Sequence, residues 1–536
     1  MAGGAIVAAD NKIKDYPGRL TWRVFVVCLM ACQGGMLFGF DNGITGGVTS
    51  MPAFLQKFFP DVYHHTQNPG HGDSAYCKYN NQGLQLFTSC LFIAAAFSSL
   101  VGGYTTRVLG RRRTMTIGGA LFIVGAALQA GAVHLAMLIV GRVMLGLGVG
   151  LANQSVPLYL SEIAPPKLRG ALNFMFQLAT TSGILIAQLV NYGTSRIHGW
   201  GWRLSVGLAA VPAIVLLVGS LLLPETPNSL FERGHHEQAL RVLQRVRGTD
   251  NVQLEYEDIA TASKVAAQVK NPWRTIFSRR YMPELMTAIW IPIFQQLTGI
   301  NSVVFYAPVL FSSLGMGQDS ALLSSVITGA VFVAATIISI LTVDTFGRKA
   351  LFIQGGIQMI ISEVVVAILL AVQFNAHSGE AISQPIGVAV IVFICLFVAG
   401  FGWSWGPLGW LVPNEIQPLE TRSAGQGLAT CTNMLLTFVI GQSFLSMLCT
   451  MQYGIMLFFA AWCLIMTLYI ILCLPETKGV PIEEIVVVWR KHWLWKRFVE
   501  PAASDQNGGV APPAKAFPSS YAGAEQEMQP RKLSNV

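Results

Sequence analysis

Charge is what this sequence has least of. Only 12% of its 536 residues are Asp, Glu, Lys or Arg, about half the share of a soluble domain. Hydrophobic residues make up 53%, and the mean hydropathy is +0.52. That balance excludes an ordinary soluble protein and leaves a chain that crosses a membrane many times. Signatures of bond-making chemistry are missing too. No nucleophile–base pair, metal-ligand spacing or Walker motif occurs, so neither an enzyme nor a resident cofactor is expected. The three histidines His64, His65 and His71 near Cys77 lack a zinc-like spacing and read as surface groups. A cleaved leader is also not expected, because Asn11 to Arg23 is charged and the apolar run from Val24 is too long for one. Neither end carries a lipidation signal.

Lys and Arg outnumber Asp and Glu by 35 to 27, a formal charge of +8. The excess lies in short loops, as topology signals do, and calls for no nucleic acid. Apolar runs of about 20 residues, enough for a helix to cross the hydrocarbon, fall near 22–42, 84–106, 114–134, 138–160, 171–193 and 203–223. Six more fall near 284–308, 320–343, 350–374, 385–411, 424–447 and 453–474. An N-terminus inside the cell places Arg107, Arg111, Arg112, Arg113, Lys167, Arg169, Arg348, Lys349 and Arg422 in inner loops. Outer loops then hold only Lys57, Lys78 and Arg196. The positive-inside rule therefore puts both termini in the cytosol.

The two sets of six repeat each other. Gly110-Arg111-Arg112 answers Gly347-Arg348-Lys349, Glu162 and Arg169 answer Glu415 and Arg422, and Pro224-Glu225-Thr226 answers Pro475-Glu476-Thr477. Their offsets are 237, 253 and 251 residues. Duplicated six-helix units follow. Repeated Glu and Arg at helix ends are expected to pair in one conformation and part in another, as two halves rock about a central site. Between the halves, Ala239, Val242, Leu243 and Val246 recur at helical spacing, which predicts short amphipathic helices bracing the bundle.

Two ionisable residues stand alone in apolar runs, Asp41 in the first and Arg142 in the fourth. Intramembrane charges face a bundle interior, find partners and mark ion or substrate paths. Their pairing predicts a proton switch: Asp41 engages Arg142 when ionised and releases it when protonated. A static buried salt bridge is the alternative. Gln295, Gln296 and Asn301 form a dense polar run in the seventh span, and amides both donate and accept, as sugar hydroxyls require. On an ideal helix Gln296 and Asn301 point about 140° apart, so a break at Gly299 is expected between them. The tenth span is likewise interrupted by Gly and Pro, with Trp403 and Trp410 placed seven apart on one face. Gln177, Asn433 and Thr437 complete a polar lining drawn from both halves. After the last span, Trp489 to Arg497 alternates aromatic and basic residues, a pattern that suits headgroup anchoring beside a membrane.

Together, Gln295-Gln296-Leu297-Thr298-Gly299-Ile300-Asn301, Pro224-Glu225-Thr226-Pro227, Asp344-Thr345-Phe346-Gly347-Arg348-Lys349 and Pro475-Glu476-Thr477-Lys478-Gly479 resemble the sugar porter branch of the major facilitator superfamily. The likeness is nearest to monosaccharide–proton symporters of green algae and plants, especially in Trp403 to Trp410, and it spans about Gly18 to Trp495. The resemblance implies an all-α major facilitator fold with twelve spans in two halves. Its divisions are a cytosolic segment 1–21, a first half 22–223 with an extracellular lid loop 43–83, and a cytosolic helical linker 224–282. A second half 283–474, a juxtamembrane segment 475–500 and a disordered tail 501–536 follow.

The resemblance also implies proton-coupled monosaccharide uptake at the plasma membrane by a monomer in the lipid bilayer. Asp41 would be the proton acceptor and Arg142 its partner. Gln177, Gln295, Gln296, Asn301, Trp410, Asn433 and Thr437 would contact sugar beside the apolar Phe38 and Ile184. Glu162, Arg169, Asp344, Arg348, Glu415 and Arg422 would be the conformational switch charges, and Cys77 would be disulfide-bonded to Cys449. One further position of this expected sugar lining departs from the family pattern: Phe332 stands where an asparagine is usual, with Thr328 and Thr336 one turn to either side.

Overall fold

Backbone amides inside hydrocarbon have only one another to bond, so apolar runs of this length become helices. The computed structural model describes residues 22–67, 77, 79–165, 169–268, 271–313, 318–376, 384–418, 420–478 and 485–499. All regular elements among them are helical. The expected segments 1–21 and 501–536, and the Arg169 side chain, lie outside what is described.

In the first half, α1 (Trp22–Ala31) and α2 (Gln33–Val48) make one interrupted crossing, and α3 (Pro52–Phe58) and α4 (Pro60–Gln67) form the loop beyond it. The remaining crossings are α5 (Gln82–Val108), α6 (Arg111–Ala130), α7 (Leu135–Ile163), α8 (Arg169–Thr194) and the pair α9 (Gly201–Leu208) and α10 (Ala210–Leu222). The linker holds α11 (Pro227–Glu232), α12 (His236–Arg247), α13 (Gln253–Gln268) and α14 (Pro272–Thr275). The second half begins with α15 (Met282–Leu297) and α16 (Ile300–Ser313), then α17 (Gln318–Phe346) and α18 (Arg348–Ala376). It continues with α19 (Gln384–Trp403), α20 (Trp405–Ile416), α21 (Arg422–Met451) and α22 (Gly454–Cys473), and α23 (Ile485–Lys491) follows. Eleven described segments are long and apolar enough to span a membrane, and the pair at 279–297 and 300–306, bent by 47°, makes a twelfth.

Pseudo-symmetry is visible at the linker end. Gly110 (φ +96°) and Gly347 (φ +88°) adopt backbone conformations that side chains disfavour. Each leaves room for a carboxylate at the start of the next helix. Glu225 Oε1 accepts the Arg111 amide at 3.1 Å, while Glu476 accepts those of Arg348 and Lys349 at 3.0 Å each. Negative charge at a helix N-terminus satisfies orphan amides and complements the dipole. Arg111 then pairs with Glu162 at 2.8 Å, and Arg348 with Glu415 at 3.0 Å and Asp344 at 2.9 Å. The repeated glutamates thus find partners within their own halves, in arginines from the Gly-Arg motifs. Arg422 reaches across the interface to Ser161 Oγ at 3.2 Å.

The linker helices are docked as the amphipathic spacing predicts. Buried Arg247 pairs with Glu255 at 2.7 Å and donates to the carbonyls of Ile163 at 2.8 Å and Ala164 at 3.3 Å, fixing α12 and α13 to the end of α7. After α22, at the same end of the bundle, Trp489 and Trp495 turn inward rather than toward headgroups, and Trp495 Nε1 bonds the Cys473 carbonyl at 2.6 Å. Trp493 stays exposed.

The halves meet at both ends. At the start of α5, Gln82 Nε2 donates to Ser446 Oγ at 3.2 Å, and near the linker, Gln154 Nε2 donates to the Ser423 carbonyl at 3.3 Å. Cys77 is bonded to Cys449, 372 residues away, tying the connection before α5 to the end of α21. The other seven cysteines are free thiols in or at the ends of the apolar helices.

Candidate functional site

Asp41 on α2 and Arg142 on α7 are brought together in the first half. Arg142 Nη1 donates to Asp41 Oδ1 at 2.7 Å and Oδ2 at 2.9 Å, and both residues are buried. Removing two charges from water is tolerable here because each meets its complement at hydrogen-bond distance. Sequence reading found the pair but missed its surroundings. Thr45, one turn beyond Asp41, accepts from Arg142 Nη2 at 2.8 Å, and the guanidinium lies 4.3 Å from the centre of the Phe87 ring. A Thr at i+4 from an intramembrane Asp is a readable signal, whereas Phe87 is one apolar residue among many.

The amides gather in the second half. Gly299 (φ +79°) ends α15, and the chain restarts at Ile300. The break turns Asn301 back so that its Nδ2 donates to Gln296 Oε1, and it approaches Thr437 Oγ1 at 3.5 Å. An unbroken helix would have kept Gln296 and Asn301 apart. Gln295 Nε2 donates to the carbonyls of Trp405 and Gly406, both at 2.9 Å, and its Oε1 accepts from Asn433 Nδ2 at 2.7 Å. Asn433 Oδ1 is buried with no hydrogen-bond partner among the described residues. This oxygen is an acceptor available at the amide cluster.

The first half contributes Gln177 and Ile184 of α8 and Phe38 of α2. A side-chain carbon placed on Gly406 would lie 3.3 Å from Gln177 Nε2, so α8 and α20 meet at the amide cluster. Phe38 meets Phe92 edge-on at 6.5 Å, and Phe92 stacks on Phe305 of α16 at 5.3 Å. This aromatic path runs from one turn before Asp41 to one turn after Asn301. Ile184 packs at Gly43, within the α2–α8 contact.

The tenth span departs from the sequence reading. Its break falls at Ser404, whose hydroxyl bonds the Gly400 carbonyl at 2.6 Å, ahead of Gly406 and Pro407. The kink separates the two tryptophans expected on one face. Trp403 Nε1 turns to Gln354 at 2.8 Å, while Trp410 meets Phe176 of the first half at 5.8 Å. Phe332 is buried against Phe401 at 5.8 Å and beside Gly402, at the α17–α19 contact. Thr328 and Thr336 donate to carbonyls of their own helix, at 2.8 and 2.9 Å, so neither hydroxyl is offered as a replacement donor.

Comparisons with known proteins bear on the family and the fold. A family model described as "Sugar (and other) transporter" matches residues 27–489. Sugar transport protein MST3 of Oryza sativa subsp. japonica is 57% identical, covering 93% of this chain and 96% of that protein. The H(+)/hexose cotransporter 2 of Parachlorella kessleri is 55% identical, covering 93% of each. Among solved structures, the proton:xylose symporter XylE bound to 6-bromo-6-deoxy-D-glucose matches with a TM-score of 0.74 and 26% identity, covering 87% of this chain and 99% of that one. The inward open form of XylE from E. coli gives 0.67 at 25% identity, over 87% and 99%.

Proposed function

The chain belongs to the sugar transporter family with the major facilitator fold, and from that premise we propose that it takes up monosaccharides, hexoses among them, together with protons. It is a transporter and not an enzyme. The observation that carries the coupling is the buried Asp41–Arg142 pair at 2.7 Å. Asp41 takes a proton from the outer side and releases Arg142, and it returns the proton to the cytosol when the pair re-forms. The proton is the only coupling ion required. At about 2.3 kcal/mol per charge per 100 mV, one proton per sugar sustains a substantial gradient.

Gln177, Gln295, Gln296, Asn301, Asn433 and Thr437 hold the sugar hydroxyls, with Asn433 Oδ1 accepting from one of them. Trp410, Phe38 and Ile184 supply apolar contact. Phe332 lies behind this lining, within the α17–α19 contact. The phenyl path from Phe38 to Phe305 relays the state of α2 to α16. The charges Glu162, Asp344, Arg348 and Glu415, with Arg111, are paired within their own halves at the linker end, Arg422 bonds Ser161 across the halves, and these groups, with Arg169, rearrange as the halves rock. We place the protein as a monomer in the plasma membrane, with both termini cytosolic and the lid outside.

The test is uptake of labelled glucose by cells that lack hexose transport. Uptake against a gradient, abolished by a protonophore, is expected. Downhill equilibration indifferent to the protonophore would indicate an uncoupled facilitator, and binding without uptake would indicate a sensor.

A further inference from the structure

Symport has a difficulty inside the first half. Once Asp41 is protonated, Arg142 remains a cation with no exposed surface, and an unpaired charge at that depth is strongly disfavoured. Among the described residues, Asp41 is the one anion it meets. The geometry points to a second seat for the guanidinium, made by Thr45 and Phe87, that holds Arg142 while Asp41 carries the proton. This inference rests on the symport reading above.

Thr45 is poised for the role by its own hydrogen bonds. Its hydroxyl proton is spent on the Asp41 carbonyl oxygen at 2.8 Å, which leaves a lone pair to accept from Arg142 Nη2 at 2.8 Å. That contact uses the backbone of Asp41 and not its carboxyl, so protonation leaves it intact. The Phe87 ring, 4.3 Å from the guanidinium carbon, attracts the cation through its quadrupole, again without reference to any proton. Two of the three contacts on Arg142 therefore survive protonation of Asp41. When the carboxyl contact weakens, the guanidinium settles onto them and they carry the cation; its Nε has no hydrogen-bond partner among the described residues.

The neighbouring helices offer no competing charge. Facing the pair, α5 adds the uncharged Cys90 thiol, and the hydroxyl of Tyr306 on α16 is committed to the Gly441 carbonyl at 3.0 Å. The α8 residues that meet α2, Phe176, Thr180, Ile184 and Asn191, are uncharged. Arg203 of α9 turns instead to the Ala132 carbonyl at 3.1 Å.

The sign of the effect follows. Because the guanidinium leans more heavily on Thr45 and Phe87 once Asp41 is neutral, these contacts favour proton uptake, and removing them makes protonation harder. Thr45→Val keeps the shape and deletes the acceptor, and Phe87→Leu deletes the ring face. In each, accumulation persists, but the external pH giving half-maximal uptake moves acid by about one unit, a tenfold higher proton concentration. Thr45→Ser and Phe87→Tyr restore the wild-type profile. Surface labelling normalises for protein that fails to reach the membrane, and the two positions test the idea independently. A half-maximal pH unchanged in both Thr45→Val and Phe87→Leu, with only the maximal rate reduced, overturns the second seat. The same assay on Asp41→Asn keeps the two claims apart. If that variant still concentrates sugar, symport through Asp41 is wrong. If it does not, and the other profiles stay put, only this inference is lost.

Discussion

Gly46 of α2 lies against the backbone of Phe305 of α16 so closely that a side-chain carbon on it would sit 2.6 Å from the Phe305 carbonyl oxygen. This contact joins the helix carrying Asp41 to the helix carrying Asn301, one residue beyond Thr45 and four beyond Asn301. Overpacking of this kind costs about 1–3 kcal/mol, and each 1.4 kcal/mol is tenfold. Gly46→Ala should therefore cut sugar uptake about tenfold by holding α2 and α16 apart. Uptake normalised to surface protein measures this, and Gly193→Ala, which meets nothing within 4 Å, serves as the neutral control.

Asp41→Asn removes the proposed proton acceptor and leaves a neutral side chain of the same size. Accumulation against a gradient should be lost, exchange of internal for external sugar should continue, and uptake should no longer depend on external pH. Parallel counterflow and accumulation assays read the three outcomes. Counterflow lost together with accumulation would mean that the residue holds the fold and not the coupling.

Asn433 both donates to Gln295 and offers an open acceptor. Asn433→Ala removes both, and a lost hydrogen bond to a buried polar group costs about 1–3 kcal/mol. The apparent KM for glucose should rise about tenfold, with a smaller change in maximal rate. Initial-rate measurements over a range of sugar concentrations would show it.

Phe332 packs against Phe401 and Gly402 instead of standing free. Phe332→Asn places an amide in an apolar contact, where burying it unpaired is unfavourable. A lower thermal midpoint in detergent is expected, with the ranking of competing sugars unchanged. A reordered competition panel would instead place this position in direct contact with the substrate.

The Cys77–Cys449 bond ties the lid connection to the second half across 372 residues. Cys449→Ser should lower the thermal midpoint and lower uptake, and a thiol reductant should reproduce both effects in the wild type without altering Cys449→Ser further.

Much of this arrangement was legible in the sequence because a membrane leaves few options. The lengths of the apolar runs fixed the crossings, the recurring Gly-Arg and Pro-Glu-Thr motifs announced two related halves, and lone charges at Asp41 and Arg142 stood out against hydrocarbon. Gly299 marked its own hinge, since only a residue without a side chain adopts that φ readily. What the sequence left open depended on directions in space. Trp403 and Trp410 share a face only if the helix is continuous, and the kink at Ser404 decides otherwise. Glu162 and Glu415 each had several basic candidates, and packing selected Arg111 and Arg348. Most of all, the partners of Arg142 come from two other helices, α2 and α5. No spacing along the chain relates Phe87 to it, because that contact exists only once α2, α5 and α7 are packed side by side.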